Sequence, residues 1–172
     1  RRSPSAGTRR LASSASTSRL FPWTQGTPDL AQARTILAFD FGLRRIGVAV
    51  GQTATHTASS LETVRNGKTP DWSAIDRLVK EWKPSLLLVG LPLGAEGEET
   101  EMSRAARGFG RRLAGRYSLE VRYADERLSS RAAESRFAEL RADGTLRRKH
   151  SDQLDAMSAQ IVLENWLQSP HD

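Results

Sequence analysis

The stretch from Ile36 to Val50, ILAFDFGLRRIGVAV, constrains the fold more than any other part of the chain. Two apolar runs are separated by only a few residues, so we expect two strands joined by a tight turn. The first run ends on a carboxylate, Asp40. Desolvating a carboxylate is costly unless a cation or hydrogen-bond donors meet it. Asp40 is therefore expected either to be exposed at a strand end or to be held there for a cation.

Hydrophobic periodicity downstream predicts strands that alternate with helices. The predicted strands are 35–40, 46–52, 55–64, 85–90 and 119–124, and the predicted helices are 71–82, 101–117, 129–140 and 151–167. Three early strands that can pair antiparallel, followed by alternating helices and strands, predict an α/β fold. We expect a mixed five-stranded sheet with helices on both faces.

Composition excludes several classes of site. The chain has 172 residues, enough for one domain, and it has no cysteine, which excludes disulfides and thiolate metal sites. Its three histidines, at positions 56, 150 and 171, do not have zinc-site spacing. No apolar run approaches the roughly 20 residues that span a bilayer. We expect a soluble, cytoplasmic protein.

Charge divides the chain into unequal parts. Residues 1–34 carry a net charge of +5 and are rich in Ser and Arg, so we expect a disordered extension before a domain at 35–168 and a short tail at 169–172. Within the domain, residues 104–149 carry +7 and lie between acidic segments. This pattern suits a cation-binding acidic site beside a basic surface for phosphates, or simply a solvated helical surface.

Acidic residues follow the predicted strand ends and the start of the last helix. Asp40 ends the first strand, Asp125 and Glu126 end the last strand, and Asp152 and Asp155 lie in the first turns of the final helix. Parallel strands would bring these acids to one edge of the sheet, where sites tend to lie. A set of oxygen ligands favours Mg²⁺ or Mn²⁺. Each acid could instead open a turn or cap a helix.

Basic residues form candidate contacts to nucleic acid. Arg104, Arg107 and Arg111 are three and four residues apart on one predicted helix, a spacing that can follow phosphates without reading sequence. The alternative is a surface paired with the acids at 98, 99 and 101. The other candidate contacts are Arg44, Arg45, Arg127, Arg148 and Lys149.

Four motifs together resemble a known family. They are DFGLRRIGVAVG from Asp40, LLLVGLPLG from Leu86, DERLSS from Asp125 and LDAMSAQIVLE from Leu154. In this order and spacing they resemble the bacterial YqgF family, also called RuvX, of pre-16S rRNA nucleases related to Holliday junction resolvases. The resemblance covers residues 35–168. It implies an RNase H-like fold and metal-dependent hydrolysis of phosphodiester bonds.

The resemblance also implies which residues form the site. By position, the catalytic and metal-binding acids are Asp40, Glu126 and Asp155, with Mg²⁺ or Mn²⁺ as the cofactor. Asp125 and Asp152 are second choices, because alternation along a strand does not decide which of two adjacent acids faces the metal. The expected turn and backbone-approach positions are Gly42, Gly90 and Pro92, with Gly42 letting the chain turn without a Cβ crowding the scissile phosphate.

The implied partner is structured RNA, either precursor 16S rRNA trimmed at its 5′ end or a pre-ribosomal particle, bound by a monomer or weak dimer. A non-catalytic RNA- or ribosome-associated factor would retain the same fold. A Holliday junction resolvase and an actin-like ATPase are further alternatives. The ATPase is disfavoured, because such enzymes need two domains of this type and the chain has room for one.

Overall fold

A computed structural model describes residues 33–128, Ser135 and residues 151–169. Their elements are, in order, β1 Thr35–Phe41, β2 Arg45–Gln52, β3 Thr57–Arg65, α1 Trp72–Trp82, β4 Leu86–Leu91, α2 Glu101–Tyr117, β5 Glu120–Asp125, a 3₁₀ turn Glu126–Leu128 and α3 Ser151–Gln168. The strands form one sheet in the order β3-β2-β1-β4-β5.

The sheet is mixed, as the sequence predicts. Strands β1, β2 and β3 pair antiparallel, while β4 runs parallel to both β1 and β5. The carboxyl ends of β1, β4 and β5 therefore lie at one edge of the sheet. The end of β3 and the start of β2 lie at the same edge, which we call the carboxyl rim.

Helices cover both faces of the sheet, and strand alternation decides which residues meet which helix. Along β1, residues 37, 39 and 41 pack with α1 and α2, whereas Ile36 and Ala38 pack with α3. Asp40 is the next even position, so it lies on the α3 face at the carboxyl rim. The mixed five-stranded sheet with helices on both faces is thus confirmed.

Phe109 of α2 anchors the end of β1 on the opposite face. It is fully buried, with its ring 5.6 Å from that of Phe39 and 5.2 Å from that of Phe41, and it also stacks on Trp72 at 6.0 Å. Burying such a side chain contributes about 1.5–3 kcal/mol. The packing of residues 39 and 41 fixes the backbone that carries Asp40 between them.

Helix termini follow local capping signals. The Asp71 side chain accepts a hydrogen bond from the Ala74 N–H at 3.2 Å, which makes it the N-cap of α1. Thr100 and Ser103 cap α2 reciprocally, each side chain accepting from the other's backbone N–H. Lys83 then ends α1 in the left-handed conformation.

Element boundaries agree with the sequence within one or two residues. The third strand begins at Thr57 rather than at residue 55, because the chain turns there with His56 at φ 52°. The predicted helix 129–140 lies outside the described residues except for Ser135, and the predicted extension at 1–34 does so except for its last two residues. No described helix combines the length and apolarity needed to cross a membrane.

Candidate active site

Asp40 lies on the α3 face of β1, directly opposite Gly47 of β2 in the antiparallel register. A Cβ at position 47 would collide with the backbone carbonyl of Asp155 and its neighbour Ala156. The glycine therefore lets the first turns of α3 pack directly on the sheet beside Asp40. This close approach is what brings an acid from the last helix near an acid from the first strand.

The direction of the side chains along β5 indicates which of the two adjacent acids, Asp125 at its end or Glu126 in the turn after it, faces Asp40. Val121 and Tyr123 pack with α1 and α2, while Ala124 belongs to the α3 cluster with Ala38. Asp125 continues the first set, and its side chain pairs with Arg127 through Nη2–Oδ2 at 2.6 Å. Glu126 instead lies beside Asp40, near enough for each carboxyl group to shift the pKa of the other.

Glu126 reaches this position across Gly90 of β4. A Cβ on Gly90 would collide with the carboxylate of Glu126, so the space above the glycine is filled by the glutamate. The Oε1 atom of Glu126 is buried and has no hydrogen-bond partner. A buried oxygen without a partner is costly and marks a place where a ligand would be stabilised.

The two half-buried carboxyl groups perturb each other. Burial raises the pKa of Asp40 to about 6, with the charge of Asp155 adding to the rise and contacts to Glu126 and Ser158 lowering it. Burial likewise raises the pKa of Glu126 to about 8, with a further rise from the charge of Asp40. The metal-free pair is therefore expected to retain a shared proton near neutral pH.

Asp155 is the third acid, and in this structure it pairs with Arg45. The Nε of Arg45 lies 2.9 Å from Oδ2 of Asp155, as an ion pair but not a well-aligned hydrogen bond. Burial raises the pKa of Asp155, while the charge of Arg45 lowers it. Arg45 also lies 3.6 Å from the exposed carboxylate of Asp152, through Nη1 and Oδ1.

The three predicted acids thus lie as a pair, Asp40 with Glu126, and a neighbour, Asp155, that is paired with Arg45. Within residues 33–128 and 151–169, no three Asp, Glu or His side chains are grouped closely enough to hold a metal ion as they stand. The reason lies in Asp155, whose carboxylate is directed to Arg45. The Asp40–Glu126 pair, with its unsatisfied oxygen, fits a divalent cation; the third ligand would require Asp155 to exchange its partner.

The family model for RuvX, described as Holliday junction resolvase, matches residues 34–169. This chain belongs to the RuvX family. The resemblance carried by the four sequence motifs is confirmed.

Curated relatives match almost their whole length. The "Putative pre-16S rRNA nuclease" of Nitrosococcus oceani is 46% identical over 145 residues, covering 84% of this chain and 93% of the relative. The protein of the same name from Hydrogenovibrio crunogenus is 48% identical over 134 residues, covering 77% of this chain and 92% of the relative. A solved structure of Thermus thermophilus RuvC with a Holliday junction substrate has a TM-score of 0.48 at 17% identity, covering 77% of this chain and 94% of that one.

The turn positions of this RuvX chain have structural reasons of their own. Gly42 donates its N–H to the Arg45 carbonyl at 2.9 Å, and a Cβ at position 42 would lie 2.7 Å from that oxygen. The structure thus supplies a reason other than the expected clearance for a phosphate: the tight turn itself needs the glycine. Pro92 accepts a hydrogen bond from the Thr100 hydroxyl at 3.0 Å, which closes the loop before α2.

Some of the predicted arginines do not lie near the carboxylates. Helix α2 packs on the sheet face opposite α3, so Arg104, Arg107 and Arg111 are separated from Asp40 by the sheet. Arg107 pairs with Glu99 at 2.7 Å, which agrees with the alternative that this helix surface is paired with nearby acids. Arg127 pairs with Asp125 and also donates to the Ala95 carbonyl at 3.3 Å. Arg148 and Lys149 lie outside the described residues.

Sequence reasoning missed the end of β3. Arg65 lies directly opposite Arg45 in the β2–β3 register, and Asn66 follows it. The Asn66 side chain is buried and donates to the Gly42 carbonyl at 2.7 Å, so it holds the turn that follows Asp40. An antiparallel register drawn between β2 and β3 would have indicated this convergence, because the end of β3 must return to the start of β2.

Proposed function

We propose that this RuvX nuclease hydrolyses phosphodiester bonds at the carboxyl rim, with Asp40, Glu126 and Asp155 as the acids of its active site. The observation that carries the proposal is the half-buried pair of carboxyl groups formed by Asp40 and Glu126. The two carboxyl groups come from β1 and from the turn after β5, far apart in sequence; both have raised pKa values, and one of their oxygens lacks a hydrogen-bond partner. Such an arrangement is unfavourable without a ligand and is typical of functional sites.

A divalent cation, Mg²⁺ or Mn²⁺, fits this donor set, because both ions prefer oxygen ligands. Asp40 and Glu126 would hold it through their carboxylate oxygens, and Asp155 would join them after exchanging its ion pair with Arg45. When bound, such an ion lowers the pKa of a coordinated water and stabilises charge on the phosphate. Burial of the two carboxyl groups would limit water around the reacting bond.

Precursor 16S rRNA is the substrate we propose, with the cleavage at its 5′ end during ribosome biogenesis. Support comes from the names of relatives that are 46% and 48% identical to this chain. Residues 35–168 would form the nuclease domain and act in the cytoplasm, on free RNA or on a pre-ribosomal particle. The net charge of +7 over residues 104–149 favours an anionic partner.

A test follows directly from the site. The purified chain is incubated with precursor 16S rRNA, with no metal, with Mg²⁺ or with Mn²⁺, and the 5′ ends of the products are mapped. We expect metal-dependent cleavage by the unmodified protein and none by the Asp40→Asn variant. Equal cleavage by the Asp40→Asn variant would contradict the proposed site.

A four-way DNA junction is the second candidate substrate, favoured by the description of the family model. The same incubation with a labelled junction discriminates the two candidates. Cleavage of the junction at a rate above that of the RNA would replace the RNA proposal. It would leave the assignment of the carboxylates intact, since both substrates are phosphodiesters.

A further inference from the structure

A groove of about 470 Å³ opens at the carboxyl rim beside the carboxylates, between the start of β2 and the end of β3. Three arginines, at positions 44, 45 and 65, line it together with Thr63, Asn66, Gly67 and Asp152. We call it the β2–β3 groove. Its lining carries three positive charges and one negative charge.

Strand pairing forces these positive charges together. Arg45 and Arg65 are direct partners in the antiparallel ladder, so their side chains leave the same face of the sheet. Like charges directly opposite each other on paired strands are destabilising. An anion bound between them would convert this unfavourable pairing into a favourable one.

Among the described residues, the carboxylates that pair with an arginine of this groove belong to α3. Arg45 pairs with Asp155 and, at 3.6 Å, with Asp152, whose side chain is 73% exposed. Neither Arg44 nor Arg65 forms an ion pair with a carboxylate of the described residues. Positive charge therefore remains available in the groove for an incoming anion.

Asn66 holds the groove in shape before any ligand arrives. Its backbone N–H donates to the Arg44 carbonyl at 2.8 Å, and its buried side chain donates to the Gly42 carbonyl at 2.7 Å. The Arg65 carbonyl in turn accepts from the Asp71 N–H at 3.0 Å. The backbones that carry the arginines are thus fixed to one another, which lowers the entropy lost on binding.

We propose that the β2–β3 groove binds a phosphodiester of the substrate strand adjacent to the scissile bond. Arg44 and Arg65 would contact its oxygens, since guanidinium groups match phosphate geometry with paired hydrogen bonds. The inference rests on the proposed nuclease function, because it takes the substrate as a nucleic-acid strand that passes the carboxylates. The Arg45–Asp155 ion pair joins the groove to the site, so one strand can occupy both.

The test measures binding rather than cleavage. A fluorescent RNA spanning the 5′ boundary of 16S rRNA is titrated with the full chain in EDTA, over a range of KCl concentrations. Arg44→Ala and Arg65→Ala should each weaken binding about threefold or more and reduce the salt slope by about 0.7–0.9, as expected for the loss of one phosphate contact. Arg65→Lys should recover the slope, because the charge is retained.

The matched control is Lys80→Ala, which removes one positive charge from an exposed position in the last turn of α1, on the other face and at the other end of the sheet. Its affinity should change less than about twofold. The proposal that the groove binds phosphate would be overturned if the Arg44 and Arg65 variants kept their melting temperature and matched the control in RNA affinity and salt slope. Weaker RNA binding by those variants would support phosphate binding in the groove, whatever the cleavage assay shows. Absence of metal-dependent cleavage would count against the proposed nuclease function only.

A second experiment distinguishes a binding site for a nucleic-acid strand from a binding site for a small anion. Millimolar inorganic phosphate is added at constant ionic strength to the protein–RNA complex. If the groove binds one phosphate of a longer strand, the RNA should stay bound, because its other contacts with the protein are not affected by free phosphate. Displacement of the RNA by phosphate, with an effect lost in Arg65→Ala, would overturn the proposal in favour of a site for free phosphate.

Discussion

Glu126 lies over Gly90, and its carboxylate fills the space that a side chain at position 90 would need. The glycine belongs to β4, the central parallel strand beside β1, while the glutamate follows the edge strand β5. An acid from the edge of the sheet can therefore approach Asp40 because the intervening strand has no side chain at position 90.

Gly90→Ala should displace Glu126 without removing any acid. We expect cleavage to fall by up to about 100-fold, because a shift of about 1 Å in a catalytic group can cost that much. The measurement is the cleavage rate alongside a melting curve. The control is Gly115→Ala in α2, where an added Cβ meets nothing within 4 Å and the helix should gain about 0.4–1 kcal/mol. Equal activity of the two variants would contradict the role of Gly90.

Asp125 and Glu126 should differ as substitutions, although they are adjacent. Glu126→Gln removes a group in contact with Asp40 and should lower kcat/KM by at least about 100-fold. Asp125→Asn removes a partly exposed ion pair with Arg127, worth about 0–1 kcal/mol of stability, and should lower activity less than about tenfold. Steady-state kinetics with saturating metal separates them. A larger loss for Asp125→Asn would reverse the assignment.

Local pattern was sufficient to predict the sheet and the three helices that the described residues contain, because burial follows hydrophobic periodicity. It also singled out Asp40 as a candidate, since an acid at the end of a buried apolar run is unusual. Alternation separated Asp125 from Glu126 but did not say which set meets α3; that depends on Ala124 packing beside Ala38. This is a tertiary fact, and the family pattern alone favoured Glu126.

The arginines were harder to place for the same reason. Helical spacing groups Arg104 with Arg111, yet it does not reveal that α2 covers the face opposite Asp40. Nothing in the local sequence around Arg65 indicates that it lies near Arg45. Its position opposite Arg45 depends on the β2–β3 register, which shifts at a bulge between Val48 and Ala49. A one-residue error in that register would have moved Arg65 to the other face.

Stability of the metal-free protein should fall as pH rises. The pKa of Asp40 rises from 3.8 to about 6 on folding, and that of Glu126 from 4.5 to about 8. The folded state therefore binds more protons than the unfolded state between about pH 4 and about pH 8, and the free energy of unfolding decreases across that window. Urea unfolding in EDTA at several pH values measures it.

The control for this pH dependence is the double variant Asp40→Asn/Glu126→Gln, which keeps the shapes of both side chains and removes both titrations. Its stability should be flatter with pH and should exceed that of the unmodified protein above about pH 8, where Glu126 of the latter loses its proton beside the already charged Asp40. The same slope in both proteins would show that these two acids do not cause the dependence.

Arg45 and a divalent cation should compete for Asp155. The Asp155 carboxylate pairs with Arg45 at 2.9 Å, and side chains that are 31% and 44% exposed make this a partly solvated ion pair. Such pairs contribute about 0.2–1 kcal/mol. A cation that binds Asp155 must first break this ion pair. Without the guanidinium there is no pair to break, so Arg45→Gln should bind Mn²⁺ about 1.5- to 5-fold more tightly.

Isothermal titration of Mn²⁺ into the RNA-free protein measures this directly, without reference to cleavage. The matched control is Arg122→Gln, which removes an exposed arginine paired with Glu120 instead of Asp155 and should leave the Mn²⁺ affinity unchanged. Asp155→Asn should weaken Mn²⁺ binding, and adding Arg45→Gln to it should bring no further gain, because the ion pair is already broken. Weaker Mn²⁺ binding by Arg45→Gln alone would show that Arg45 orients Asp155 for the metal rather than competing with it.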